Sequence, residues 1–246
     1  MTDGDSLLLG VLVLFVATLY ASVGHGGASG YVAAMALVGM PTPLMRVSAL
    51  ILNLLVAGIA SLRFARAGHL AWRKLVPYAL TSIPLAFVGG LLTVPGHLHT
   101  RIVGLVLLFA AVQLLVRARQ DPALPLRVMP LPAALLIGAG IGLLSGVTGV
   151  GGGIFLSPVL IVGRFARTRD VSGLSAAFIW VNSAAGLLGR WSSAPALPGA
   201  LAGWAVAAAL GAAIGSEIGS RRVGEPTIRR LLAAVLIVAG VKMLIG

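Results

Sequence analysis

The sequence predicts an all-α polytopic membrane protein made of two inverted-topology repeats, each of about five hydrophobic segments and each containing a glycine-broken half-helix. Three observations predict it. Only 10% of the chain is charged while 59% is hydrophobic, with a mean hydropathy of +1.05, against roughly 25% charged in an ordinary soluble domain. The uncharged runs follow an order that occurs twice along the chain. The basic residues gather in alternate loops, which assigns the two sides.

A charge at the bilayer centre costs roughly 2.5–3.5 kcal/mol on insertion scales, so the gaps between charges outline the spans. Residues 6–45, 47–62, 75–100 and 102–116 carry no charge; after a basic loop, neither do 128–163, 171–189, 191–216 and 231–241. Long, short, medium, short therefore appears twice, as in an internal repeat. The first half reads as segments 7–23, 31–40, 44–62, 75–94 and 101–116, and the second as 129–147, 154–163, 171–189, 198–218 and 228–245. Segment 7–23 follows the acidic Asp3 and Asp5. With no basic start and no Ala-x-Ala site, it reads as a retained span rather than a signal peptide. Segments 31–40 and 154–163 each follow a glycine cluster, and the others are bounded by charges or by polar loops. The chain is read as one transmembrane domain, 1–246, with repeat 1 at about 6–117, a linker at about 117–128 and repeat 2 at about 128–246.

The clusters are Gly24-His25-Gly26-Gly27-Ala28-Ser29-Gly30 and Gly149-Val150-Gly151-Gly152-Gly153, offset by 125 residues. At nearly the same offset Ser48-Ala49 recurs as Ser175-Ala176, and Asn53 sits near Asn182 with a shift of two. Fourteen of the eighteen basic residues fall in loops 63–74, 117–127, 163–170 and 219–230, while Arg46, Arg101, Arg190 and Lys242 fall at the opposite ends of the segments. The positive-inside rule makes the fourteen cytoplasmic and places both chain termini outside. Five segments per half is an odd number, so the second half enters from the other face, the arrangement of many secondary transporters.

A ten-residue segment covers about 15 Å, half of a roughly 30 Å hydrocarbon core. Non-helical backbone at that depth is tolerated where it lines a cavity or is buried in protein. Each half-helix starts with free N–H groups and about half a positive charge, so two of them converging make an anion site without a charged side chain. The candidate lining residues are Gly24, His25, Gly26, Gly27, Ala28 and Ser29 in the first half and Gly149, Val150, Gly151, Gly152 and Gly153 in the second, joined by Ser48, Asn53, Ser175 and Asn182 on the helices that follow. The stripes Gly138/Gly142/Gly146 and Gly211/Gly215/Gly219, at four-residue spacing, read instead as helix-packing faces.

These features resemble the sulfite exporter TauE/SafE family, also called the toluene-sulfonate uptake permease family. The resemblance is carried by Gly146-Val147-Thr148-Gly149-Val150-Gly151-Gly152-Gly153 with Pro158, and by Ser22-Val23-Gly24-His25-Gly26-Gly27-Ala28. It extends from about Leu7 to Ile245 and implies a bacterial inner-membrane carrier of sulfite, sulfoacetate or aromatic sulfonates. Family members often carry a Thr-Ser pair on the helix after each half-helix. Here those places read Val47-Ser48 and Leu174-Ser175, leaving fewer hydroxyl contacts.

Among the ionisable residues, His25 is expected deep in the membrane, His69 in a cytoplasmic loop, and His97 and His99 in an external one. His25 could donate to an oxyanion, carry a coupling proton, or simply bond turn backbone. Glu217 is the second coupling candidate, although its place four residues before Arg221 also suits an ion pair at the membrane edge. Trp180 reads as packing, Trp72 and Trp191 as interfacial anchors.

An enzyme is tested by Gly27-Ala28-Ser29-Gly30, which matches the Gly-x-Ser-Gly of intramembrane serine proteases. Such chemistry needs a base on another element, and His25 is too close in sequence to be one. With no cysteine, no His-Glu-x-x-His and no paired carboxylates, no metal or cofactor is expected and catalysis is disfavoured. The expected partners are a small anion and the lipid bilayer. Despite the +12 charge, nucleic acid is not expected; a homodimer is left open. The paired breaks together with the resemblance imply export of a small sulfur-containing anion by alternating access. Proton-coupled uptake of another organic anion is the alternative, and a hydrolase using Ser29 is a distant third.

Overall fold

The computed structural model describes residues 3–22, 24–92, 94–116, 125–221, 236–238, 240–241 and 243–245. They are helical, with no strand among them. The helices are α1 (Asp3–Ser22), α2 (Ala28–Leu37), α3 (Thr42–Arg66), α4 (Trp72–Leu91), α5 (Gly96–Val116), α6 (Leu131–Thr148), α7 (Gly153–Val162), α8 (Thr168–Arg190) and α9 (Leu201–Arg221). Six of them, α1, α3, α4, α6, α8 and α9, are long and apolar enough to cross a membrane. Most of segment 228–245, with Arg222, Arg229, Arg230 and Lys242, lies outside the described residues, as do Arg117 and Arg119 of the linker.

The two short helices are ten residues each. Both begin at a glycine in the left-handed region, Gly27 (φ 93°) and Gly152 (φ 80°), a conformation an L side chain occupies at a cost of about 1–2 kcal/mol. Helix α2 starts three residues before the expected 31, because Gly27 rather than Gly30 is the cap; Gly30 lies inside the helix, where a Cβ would strike Val16 and Tyr20 of α1.

Helices α3 and α8 form the centre, with 61% and 78% of their spanning windows buried, against 33–44% for the other four. Helix α2 packs on α3 and α7 on α8. Helix α4 lies along α6 and also touches α8; in the other half α9 lies along α1 and touches α3. The glycine stripes make these approaches. A Cβ on Gly138, Gly142 or Gly146 would overlap the Tyr78, Ser82 or Ala86 carbonyl of α4, and one on Gly211 or Gly215 the Leu14 or Thr18 carbonyl of α1. Small residues let membrane helices gain dispersion contact where lipid offers no hydrophobic drive. Gly104 of α5 meets Gly240 in the same way.

One expectation is corrected. Helix α5 begins at Gly96, so His97 and His99 belong to a helix rather than an external loop. The Pro95 carbonyl accepts the His99 N–H at 2.9 Å, and proline, with its fixed φ, suits a helix start. His99 is thereby buried at 4% exposure. Glu217 pairs through its carboxylate with Arg63 on α3; the side chain of Arg221, its expected partner, lies outside the described residues.

Candidate functional site

The two half-helices start at the same place in the molecule, and the residue between their N-termini is Asn53, midway along α3. Its Oδ1 accepts the Ala28 N–H at 3.2 Å, so the amide caps α2 where Gly27 has no side chain to do so. Its Nδ2 donates to Ser183 Oγ of α8 at 2.8 Å. These two bonds fix which way the amide points. A Cβ on Gly26 would overlap Asn53 Oδ1, and one on Gly151 would overlap its Nδ2. Both breaks thus need glycine because one amide is wedged between them, with no exposed surface.

A second polar chain crosses from the first half to the second. His25, 7% exposed, has its backbone N–H on the Tyr20 carbonyl at 2.8 Å and its ring edge-on to Tyr20. Its Nε2 lies 3.2 Å from Ser157 Oγ on α7, and Ser157 lies 2.7 Å from Ser175 Oγ on α8. The Ser29 hydroxyl donates instead to Tyr20 Oη at 2.9 Å. His25 and Ser29 thus meet different partners, Ser157 and Tyr20, and among the described residues no base is hydrogen-bonded to Ser29.

The remaining candidates are placed as follows. Asn182 donates to the Phe178 carbonyl of its own helix at 2.8 Å, and its Oδ1 is buried without a partner. The neighbouring Ser183 is the one that meets Asn53; one residue turns a helix by about 100°. Ser48 is buried with its hydroxyl unpartnered. Val150 is buried and its N–H faces Thr148 Oγ1 at 3.4 Å. A Cβ on Gly24 would overlap Ser172 backbone, one on Gly152 would crowd Ile141 and Phe178, one on Gly153 would overlap Ile179, and Gly149 lies against Arg46, a Cβ there falling 3.0 Å from Cγ. Sequence reasoning missed Tyr20, Ser157 and Ser183. A serine inside the apolar run of α7 was the available signal for Ser157.

The surroundings differ at the two ends. Toward the end carrying Arg63, Arg73 and Lys74, a cavity of about 370 Å³ is bordered by Lys74, Tyr78, Arg127 and, on α7 and α8, by Leu160 and Leu174. Those leucines lie within one turn of Ser157 and Ser175. Toward the opposite end stands Arg46, seven residues before Asn53 on α3 and so about 10 Å from it along the axis. Arg46 is 2% exposed.

A family model described as "Sulfite exporter TauE/SafE" matches residues 9–243. The "Probable membrane transporter protein y4hK" of Sinorhizobium fredii is 37% identical over 245 residues, which is 98% of this chain and 99% of that protein. No solved structure matches the chain.

Proposed function

The chain belongs to the sulfite exporter TauE/SafE family of membrane transporters, and from that premise we propose that it carries small sulfur-containing oxyanions, sulfite or organosulfonates such as sulfoacetate, across the bacterial inner membrane by alternating access. The observation that carries this reading is the meeting of both half-helix N-termini at Asn53. Each N-terminus presents about half a positive charge and N–H donors with no acceptor in their own helix, the chemistry of an oxyanion site. The amide between them is displaced by substrate, its Oδ1, which accepts from the Ala28 N–H, standing in for an oxygen of the anion, while the Ser183 hydroxyl, an acceptor from Asn53 Nδ2 here, turns to donate to the anion.

The two halves are inverted repeats in this reading. Exchange of packing partners supports it: α4 on α6 and α8 is matched by α9 on α1 and α3. The basic loops are cytoplasmic, so the cavity bordered by Lys74 and Arg127 is the inner vestibule and gathers anions. With the cell interior negative, a monoanion moving outward gains about 2.3 kcal/mol per 100 mV, which drives export without a coupling ion. In this reading the protein acts as a carrier rather than an enzyme.

The test is efflux from proteoliposomes. Vesicles loaded with labelled sulfite or sulfoacetate should lose it faster with the protein, and an imposed inside-negative potential should accelerate the loss. Efflux indifferent to potential but dependent on a pH gradient would favour proton-coupled transport through His25. No flux of any tested sulfur oxyanion would remove the substrate assignment.

A further inference from the structure

Arg46 and Arg190 are a buried pair of cations, 2% and 8% exposed. The ion pairs Arg63–Glu217 and His69–Asp170 contain neither of them. Arg46 donates through Nη2 to the carbonyls of Gly89, at 2.7 Å, and of Gly146, and through Nη1 to that of Leu92 at 3.4 Å. Arg190 Nη1 donates to the same Leu92 oxygen at 3.2 Å, so two guanidiniums share one acceptor. His99 stands within the field of both. Neither ring nitrogen of His99 makes a hydrogen bond of ordinary geometry, with a Val147 backbone group beside the ring. The Nε atoms of both arginines are buried and unpartnered as well.

Carbonyls satisfy donors but do not neutralise charge. The last turns of α4, α6 and α8 each bring about half a negative charge to this end, while the first turns of α3 and α5 each bring about half a positive charge. The helix ends nearly cancel, and most of the two guanidinium charges stay uncompensated in a water-poor place. Buried charges are ordinarily paired because removing an ion from water costs several kcal/mol. Two convergent guanidiniums with free Nε–H edges match the forked acceptors of a tetrahedral or pyramidal oxyanion.

We propose that Arg46, Arg190 and His99 form a second oxyanion-binding site, displaced from Asn53 toward the end opposite the basic loops. Binding there stands on these residues alone; its use as the exit station of the transported anion rests on the carrier function proposed above. Arg190 is the most accessible of the three and forms the outer lip. Arg46, whose stem lies against Gly149, forms the inner lip, so an anion leaving the glycine breaks reaches it first.

The test is isothermal titration of the purified full-length protein in detergent with sodium sulfite and, separately, sodium sulfate. Arg46 holds three carbonyls, and R46Q would disturb folding, so the variants are R190Q and H99Q, each also made on an N53D background that blocks the Asn53 site. Parent N53D should still bind oxyanion. R190Q on that background should weaken the remaining binding at least tenfold, with H99Q weakening it less, while size-exclusion profiles stay unchanged. Oxyanion binding by N53D that R190Q and H99Q leave unchanged would overturn the proposal, and so would an N53D protein that binds none. Failure of the carrier reading has a different signature: wild-type protein that binds oxyanion through Arg190 and yet passes none in proteoliposomes.

Discussion

Replacing Asn53 by aspartate puts a fixed negative charge where the proposed function holds the transported anion. The substitution is nearly isosteric, so the wedge between Gly26 and Gly151 keeps its shape. Oδ1 still accepts from Ala28, and Ser183 can reverse its hydroxyl to donate. The two half-helix N-termini favour the new carboxylate by about 0.3–1 kcal/mol each, up to about 2 kcal/mol in partly buried geometry. That offsets a good part of the desolvation cost of several kcal/mol, so the protein should fold. The substrate fares worse. Two negative charges about 4 Å apart repel by about 4 kcal/mol at an effective dielectric of 20, and each 1.4 kcal/mol is tenfold in affinity, so binding at Asn53 falls by about a thousandfold. Labelled sulfite efflux from N53D proteoliposomes should be at background, with a monodisperse elution profile. Asn53→Ala, which removes hydrogen bonds worth about 1 kcal/mol each without adding charge, should lose far less. Folded N53D protein with efflux within twofold of wild type would refute the placing of the anion between the half-helices.

Four further outcomes follow from the same geometry. Gly151→Ala places a Cβ on the Asn53 amide at a φ of 79°, combining about 1–2 kcal/mol of left-handed strain with the loss of a buried hydrogen bond of about 1 kcal/mol; Gly39→Ala, at a φ of 73° with open space around it, carries the strain alone, so its apparent Tm should fall less. Gly142→Leu should separate α4 from α6 and destabilise by at least about 1–3 kcal/mol, whereas Gly140→Leu, which meets nothing within 4 Å, should be silent in the same melt. Glu217→Gln breaks a pair whose side chains are each 37% exposed, worth at most about 1 kcal/mol, and should leave efflux within twofold; abolished efflux would point to a proton relay. A fluorophosphonate probe should leave Ser29 unlabelled, because its hydroxyl is held by Tyr20 and no histidine base stands beside it.

The helices were legible because charge is so costly in lipid that its absence draws their outline. The ends of α3 and α8 came within about four residues of Arg63 and Arg190 for that reason. The glycine breaks were legible too, since glycines in that density do not sustain a helix. What the sequence could not disclose was rotation and depth. Asn182 repeats Asn53 in order, but Ser183 faces the meeting point, a difference of about 100° of helix turn that a shift of two residues in an imperfect repeat conceals. Likewise His99 read as a loop residue because Arg101 ended the apolar run; Pro95 starts the helix five residues sooner and carries the ring inward. Arg46 and Arg190 read only as charges at segment ends because position along a chain says nothing about which neighbours close over a side chain. Their burial at the end opposite the basic loops puts positive charge inside the protein, where neutral donors alone were expected.

The central claim is that a negative charge crosses through the space between the two half-helices. Current recorded from proteoliposomes on a solid-supported membrane during a sulfite or sulfoacetate concentration jump tests it most directly. The account predicts a transient current with the sign of anion movement in wild-type protein and none above the protein-free baseline in N53D. Equal currents in both proteins, or no current with any sulfur oxyanion in the wild type, would contradict it.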